Sequence, residues 1–265
     1  RHTRYIGNWS SDVCSSDLRD VLKDDGVLWL NIGDSYYNYR PGTGGLPKQT
    51  VSKTSQDLPT QCNRRANKLD GLKEKDLIGI PWMLAFALRA DGWYLRQDII
   101  WHKPNPMPES VKDRCTKSHE YIFLLSKNKK YYYDNEAIKE PVKQDWGTRN
   151  RDAGKYHNPG TGLQPHSGLT KSYERKNKRD VWSVTNKPYK GAHFACFPPD
   201  LIEPCILAGS KEGDVILDPF MGSGTTAMVA KQHDRSYIGC ELHEDYGSLI
   251  QKRLKAIPTK LPFDV

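Results

Sequence analysis

The sequence predicts an α/β fold with a mixed, largely parallel sheet. The apolar residues 215–217 are typical of a buried strand, and they lead into a turn with two glycines and then a helix start. A second strand at 236–241 follows that helix, and helix 77–90 leads into a further strand in the same way. Ligands of α/β folds bind at the carboxyl ends of strands, so the glycine turn marks a binding site.

The first half of the chain is predicted to supply one long helix and three strands. Residues 27–32 are a strand that begins after Gly26, and the spacing of apolar residues over 77–90 indicates a helix. Alternating apolar and polar residues predict a strand at 94–101, and consecutive apolar residues predict a buried one at 119–126. We expect two late strands to form an antiparallel edge hairpin, which the three tyrosines at 131–133 extend.

The second half begins with a polar, basic stretch at 139–180 that has few large aliphatic residues and cannot bury a core of its own. A strand-like pattern returns at 180–184, and a helix is expected to begin near Pro199 and run to Ala208. The helix after the glycine turn is expected to begin at about Ala227, and the last helix spans 246–254.

Composition limits the class of protein. The 265 residues carry a formal charge of +8 with a pI of about 9.0, which suits a polyanionic partner such as DNA. The mean hydropathy is −0.75, and no apolar run approaches the ~18 residues of a membrane span. None of the six cysteines forms a Cys-x-x-Cys pair, so we expect no metal site and free thiols in a reducing cytoplasm.

The glycine turn fits some nucleotide-type ligands better than others. Thr225 and Thr226 follow Gly224, where a phosphate-binding loop of the Walker type needs a lysine, and no third glycine completes a dinucleotide motif. Both threonines are candidate helix caps. Glu241 ends the next strand, where an acid can accept hydrogen bonds from ribose hydroxyls. A ribose acceptor without a phosphate cradle suggests S-adenosylmethionine, and the alternative is a glycine turn without a ligand.

Several segments together resemble the amino-methylating DNA methyltransferases, which modify N4 of cytosine or N6 of adenine. The segment 218–226, Asp-Pro-Phe-Met-Gly-Ser-Gly-Thr-Thr, resembles the cofactor motif of that family, and 193–202 resembles the stretch that precedes it. Residues 101–106, Trp-His-Lys-Pro-Asn-Pro, resemble the loop beside the flipped base, and 26–35 resembles a core strand and its exit. The order of these segments matches the permuted β arrangement, and the resemblance covers residues 19–255.

The resemblance implies an S-adenosylmethionine-dependent methyltransferase (Rossmann-like) fold, incomplete at its N-terminus, and a set of binding residues. Glu241 would hold the ribose hydroxyls, and Phe197 and Pro198 would cover the methionine end. Asp34 would face the cofactor cleft. Trp101, Lys103 and Asn105 would border the target base, although Trp101 also fits ordinary strand packing. The residues that would line the methionine and ribose are Asp218, Pro219, Phe220, Gly222, Ser223, Gly224 and Thr225.

The catalytic tetrapeptide of this family is missing from the sequence. It consists of Asp, Asn or Ser, then Pro-Pro, then an aromatic residue, and Phe197-Pro198-Pro199-Asp200 has the wrong flanking residues. We therefore assign no catalytic residue, expect little or no turnover, and expect the lost strand to leave apolar sheet edges exposed. Residues 9–18 repeat Ser-Ser-Asp and resemble a translated sequencing adapter, so we interpret 1–18 as a non-native segment ahead of a truncated gene.

These inferences give a domain plan and a set of partners. Double-stranded DNA is the expected substrate, a cognate restriction endonuclease is an expected partner, and the location is the cytoplasm of a bacterial or phage-infected cell. Methylation of RNA or protein, or a DNA-binding fragment without turnover, are the alternatives. The expected segments are 1–18 (non-native), 19–138 (catalytic half, with a basic loop at 36–70), 139–180 (target-recognition insert), 181–258 (cofactor half) and 259–265 (tail).

Overall fold

A computed structural model describes residues 17–37, 71–142, 174–186 and 197–257 of the chain. The segment 17–21 is helical, and four longer helices and eight strands follow it within the described residues. The strands are β1 (Val27–Ile32), β2 (Tyr94–His102), β3 (His119–Ser126), β4 (Glu140–Pro141), β5 (Arg175–Lys176), β6 (Val181–Ser183), β7 (Val215–Asp218) and β8 (Ser236–Gly239). The helices are α1 (Ile80–Ala90), α2 (Pro199–Gly209), α3 (Thr225–Gln232) and α4 (Glu244–Lys255).

The larger sheet has the strand order β1-β3-β2-β6. Strand β3 is antiparallel to both β1 and β2, and β6 is parallel to β2. The predicted mixed sheet is confirmed, but the antiparallel strand lies between β1 and β2 and not at the edge. Strands β1 and β2 run parallel and are connected through α1, so they need not be neighbours in the sheet. Strand β3 pairs with both of them and lies between them.

The three tyrosines at 131–133 do not extend the β2–β3 hairpin, so that prediction was wrong. The amide of Tyr132 donates to the carbonyl of Asp25 at 2.8 Å, and the amide of Asp134 donates to the carbonyl of Ala208 at 2.8 Å. The backbone after β3 therefore bonds to the entry of β1 and to α2 instead of continuing a strand pair. These bonds tie the sheet to the second half of the chain.

Two helices cover opposite faces of the larger sheet, as the period-2 alternation of β3 requires. Ile122 points to one face, where it packs with Trp101 of β2 and with Leu201 and Cys205 of α2. Phe123 points to the other face and packs with Ala85 of α1 and with Trp93. Leu18, the last residue of the segment interpreted as non-native, also packs against this second cluster. Burial raises the pKa of the Cys205 thiol, which keeps it protonated in the core.

Strands β7 and β8 form a separate parallel pair joined by α3. One face of the pair is covered, because Ile216 packs with Ile206 of α2 and Val229 of α3. The other face is open in the part of the chain that the structure describes, where Val215, Leu217 and Ile238 are 54%, 39% and 57% exposed. Among the described residues, no helix is both long enough and apolar enough to cross a bilayer.

The two halves are also linked by an ion pair between the entry of β1 and the entry of β7. Lys23 Nζ lies 2.5 Å from Asp214 Oδ1, and the other carboxylate oxygen of Asp214 accepts the amide of Lys211 at 2.8 Å. The hydrogen bond from Lys23 holds the pKa of Asp214 below its ordinary value. Both strands therefore begin on the same side of the fold.

We predict that the stability of the Asp214→Asn variant depends less on pH in the acid range than that of the wild type. A lowered folded-state pKa contributes stability above the unfolded value of about 3.9, and this contribution disappears as pH falls through the folded value. The wild-type free energy of unfolding should therefore fall more steeply below pH 4 than that of the variant, and the two curves should converge there. Urea titrations from pH 7 to pH 2.5 measure both, and parallel curves would contradict the prediction.

Candidate functional site

The chain turns sharply between β7 and α3, and Asp218 organises this turn. Its Oδ1 accepts the backbone N–H of Phe220 at 3.0 Å, and its Oδ2 accepts the hydroxyl of Thr226. The two bonds tie the end of β7 to the first turn of α3, with Pro219 between them. Asp218 therefore stabilises the conformation of the loop through hydrogen bonds inside it.

Gly224 has the positive φ of 79° that only glycine adopts without strain, and it is the N-cap of α3. A Cβ at this position would lie 3.1 Å from Cγ1 of Ile250 on α4, so the helix behind the loop also restricts it. Thr225 and Thr226 are the first residues of α3 and make no cap bond. The prediction that they cap the helix was wrong, because Gly224 takes that position in a left-handed conformation.

Glu241 lies directly beside the turn. One carboxylate oxygen accepts the amide of Gly222 at 2.7 Å, and the other accepts the amide of His243 at 2.9 Å. The approach is set by the strand pair, which continues past its formal end through the bond from the Cys240 amide to the Asp218 carbonyl at 3.0 Å. An acid and a glycine turn that are about 20 residues apart in sequence thus meet at the carboxyl ends of two parallel strands.

The side chains around this turn divide into an exposed and a buried group. Phe220 and Leu242 are 69% and 87% exposed beside Asp218 and Glu241, which is unusual for large apolar residues. Ser223 and Thr225 are each only 3% exposed, and their hydroxyls contact Arg253 of α4. Leu242 and Arg253 were not identified from the sequence. The position of Leu242 directly after the strand-end acid could have indicated it in the sequence. No sequence feature indicates Arg253.

Cys240 is exposed, and the expectation that it packs within the second strand was wrong. Cys240 lies two residues after Ile238, which puts it on the same open face of the β7–β8 pair, where Ile238 is also exposed. Within the same residues, no group of three or more histidine, cysteine or acidic side chains could hold a metal ion.

Phe197 and Trp101 meet in the core cluster between α2 and the larger sheet. Phe197 packs against that cluster, and Pro198 is buried at the N-cap of α2. Trp101 is 3% exposed, and its indole N–H donates to the carbonyl of Val184 at 2.9 Å. Phe197, which was predicted to cover the cofactor, and Trp101, which was predicted to border the base, thus belong to the same core cluster. Trp101 packs within the sheet, which was its alternative interpretation.

Lys103 lies over the face of Trp101, with Nζ 4.2 Å from the ring centroid, and it is paired with Glu120 of β3. Asn105 exchanges two hydrogen bonds with the backbone of Asn186, each 3.0 Å long. The loop after β2 is therefore fixed to the segment after β6, at a point where residues 187–196 lie outside the described part of the chain.

Asp34 lies at the exit of β1, and its carboxylate accepts hydrogen bonds from the start of the next helix. It accepts the amides of Gly79 at 3.0 Å and Ile80 at 3.1 Å, which satisfies unpaired donors at the start of α1. This also explains why α1 begins at Ile80 and not at residue 77. The Asp34 carbonyl accepts Lys117 Nζ at 2.6 Å, and burial lowers the pKa of this lysine. No sequence motif indicated this contact of Lys117.

Two glycines offer a matched test of the turn. Gly224→Ala should lower the free energy of unfolding by about 1–2 kcal/mol or more, because the left-handed conformation and Ile250 both oppose a side chain. Gly247→Ala is the control, since this exposed glycine lies inside α4 with nothing within 4 Å of a new Cβ. It should stabilise the protein by about 0.5–1 kcal/mol. Urea denaturation of both variants measures the difference, and equal effects would contradict the predicted role of Gly224.

Comparisons with known proteins identify the family of this chain. A family model described as DNA methylase, of the N6 and N4 type, matches residues 5–252. The Type II methyltransferase M.SmaI of Serratia marcescens is 48% identical over 238 residues, which are 90% of this chain and 70% of that protein. The Type II methyltransferase M.Cfr9I of Citrobacter freundii is 46% identical over 246 residues, which are 93% and 70% of the two chains.

Solved structures share the fold at low sequence identity. The PvuII DNA methyltransferase, described as cytosine-N4-specific, aligns with a TM-score of 0.55 at 16% identity and covers 92% of this chain and 68% of its own. A DNA modification methylase from Thermus thermophilus, solved as a complex with S-adenosyl-L-methionine, aligns with a TM-score of 0.53 at 20% identity over 91% and 73% of the chains. The family match and the close relatives show that this chain belongs to the N6- and N4-type DNA methylases.

Proposed function

We propose that this protein serves site-specific methylation of double-stranded DNA, in which a methyl group passes from S-adenosylmethionine to N4 of cytosine or N6 of adenine. The observation that carries the proposal is the contact between Glu241 and Gly222, which puts a ribose acceptor against a glycine turn at the carboxyl ends of two parallel strands. The activity belongs in the bacterial cytoplasm, where the DNA is, and the relatives' Type II names favour a cognate restriction endonuclease as a partner.

The residues around the turn fit S-adenosylmethionine. Glu241 offers two carboxylate oxygens for the two ribose hydroxyls, and each oxygen accepts one backbone N–H in this structure. Phe220 follows the end of β7 and Leu242 follows Glu241, and both offer exposed apolar surface that suits the adenine ring or the methionine chain. The cofactor supplies an electrophilic methyl group on a sulfonium. Asp218 holds the turn in the shape that lets its backbone approach the ligand.

The basic residues fit a DNA partner. Lys103 and Lys117 lie at the exits of β2 and β1, where a base taken out of the duplex would enter. In the insert, Arg179 and Lys176 share the single carboxylate of Glu140, at 2.7 and 3.6 Å, and Arg179 lowers the pKa of this acid. Cations that outnumber their acidic partners are available to phosphates, which the net charge of +8 also favours.

Turnover needs a group that this sequence does not contain. An exocyclic amine is a weak nucleophile, and the family tetrapeptide accepts hydrogen bonds from it while the base is held in line with the methyl group. Asp34 does not replace that group, because its carboxylate accepts the backbone amides of Ser35, Gly79 and Ile80. The chain as printed is therefore expected to bind S-adenosylmethionine without transferring its methyl group.

Glu241→Gln should weaken S-adenosylmethionine binding by about tenfold or more, because an amide offers one acceptor and no charge where the carboxylate offers two. Calorimetric titration of the wild type and the variant measures the two dissociation constants. Glu244→Gln makes the same chemical change at an exposed position in the first turn of α4 and should leave the affinity unchanged. Equal losses in both variants would contradict the role of Glu241.

Methyl transfer itself is tested with labelled S-adenosylmethionine and duplex DNA. The chain as printed should give no labelled DNA, and a chimera that carries a strand with the family's tetrapeptide should give N4-methylcytosine or N6-methyladenine in nucleoside mass spectra. That measurement also decides between the two bases. Labelled RNA or protein in place of DNA would overturn the proposal, and so would a chimera that binds cofactor and DNA but modifies neither base.

A further inference from the structure

The proposed cofactor turn is held from two sides, by Glu241 and by Arg253. Glu241 accepts the amide of Gly222 on the open side. On the covered side, Arg253 from the last turn of α4 reaches the residues 223–225. The segment that leads from Glu241 through α4 to Arg253 therefore contacts the turn at both of its ends.

The contacts of Arg253 are numerous for a single side chain. Its Nη1 donates to the Ser223 carbonyl at 3.0 Å, to the Ser223 hydroxyl at 2.7 Å and to the Thr225 hydroxyl at 3.1 Å. Its Nη2 lies 3.8 Å from the sulfur of Met228 on α3. Bonds from a charged donor are stronger than neutral ones, and a planar guanidinium restricts direction as well as distance.

The rest of α4 supports the same contact. Ile250 lies one turn before Arg253 and packs against Gly224, and Leu254 packs with Met221 of the turn and Ala227 of α3. Lys231 Nζ on α3 donates to the carbonyl of Leu254 at 3.2 Å. The end of α4 is thus fixed to the turn by apolar packing, and Arg253 adds the directional bonds.

We propose that Arg253 is a positioning residue for the cofactor: acting through Ser223 and Thr225, it holds the 222–225 turn in the conformation that accepts S-adenosylmethionine. This inference rests on the proposed cofactor site, since Arg253 itself lies behind the turn. The buried hydroxyls of Ser223 and Thr225 belong to this support and do not face the ligand. Their role in binding is therefore indirect, and the backbone of the turn makes the approach to the cofactor.

The test compares Arg253→Met with Lys252→Met, because both remove a positive charge from the last turn of α4 and Lys252 is exposed. Arg253→Met should weaken S-adenosylmethionine binding by about tenfold, whereas Lys252→Met should not change it. Arg253→Lys should give an intermediate affinity, because it keeps the charge and loses the planar fork. If Arg253→Met binds with wild-type affinity, the proposal is overturned.

A double-mutant cycle separates positioning from a general loss of stability. Ser223→Ala and Arg253→Met should be strongly non-additive in their effects on the dissociation constant, because either change breaks the same contact, whereas Ser223→Ala and Lys252→Met should be additive. Additive effects for the first pair would contradict the proposal. If Arg253→Met does not fold, the cycle is run with Arg253→Lys.

Hydrogen exchange gives a readout that needs no ligand. In the free protein, Arg253→Met should speed exchange in a peptide that spans 219–228 and leave strand β3 at the wild-type rate. Unchanged exchange in that peptide would overturn the proposal. If the wild type fails to bind S-adenosylmethionine, the proposed function fails, and the exchange experiment still decides whether Arg253 holds the turn.

Discussion

The turn between β7 and α3 is the constraint on which the site depends. Two glycines with φ of 54° and 79° reverse the chain within a few residues, and such a turn has little conformational preference of its own. The conformation of the turn must therefore be stabilised by neighbouring residues. Asp218 bonds within the turn, Glu241 accepts the amide of Gly222, and Ile250 and Arg253 of α4 contact residues 223–225. A backbone held in this way can approach a ligand closely without being ordered by it, which lowers the entropic cost of binding.

Helix α2 connects the larger sheet to the β7–α3 region. It packs on the larger sheet through Leu201 and Cys205, and on α3 through Ile206, so it belongs to both cores. Trp101 is buried in the first of these contacts, and Phe197 is partly buried against it. At the exit of β2, the Lys103 ammonium lies over the Trp101 ring. The cation–π contact with the packed indole restricts the position of the Lys103 ammonium more than solvent alone would.

Strands β1 and β3 could be predicted to the residue, because apolar runs between glycines or polar residues leave little freedom in where a strand ends. The turn was equally visible, since Asp218, Gly222 and Gly224 all lie within residues 218–224. What the sequence did not show is where side chains point. The hydroxyls of Ser223 and Thr225 contact Arg253, which lies about 30 residues later in the chain. The carboxylate of Asp34 accepts the amide of Gly79 before α1, 45 residues away. Contacts across such separations depend on packing, which no local pattern encodes.

The contacts that shape the turn lie within one part of the chain. The bonds that shape the turn join Asp218 to Thr226, Gly222 to Glu241, and Ser223 to Arg253, so all of them fall within residues 218–253. None uses the larger sheet or the tetrapeptide. The open apolar face of β7 and β8 makes this pair less stable than a covered one, since Val215 and Ile238 remain more than half exposed. The bonds within residues 218–253 hold the turn beside this exposed strand pair, so the shape of the proposed cofactor site depends on Glu241, α3 and α4 and not on the larger sheet.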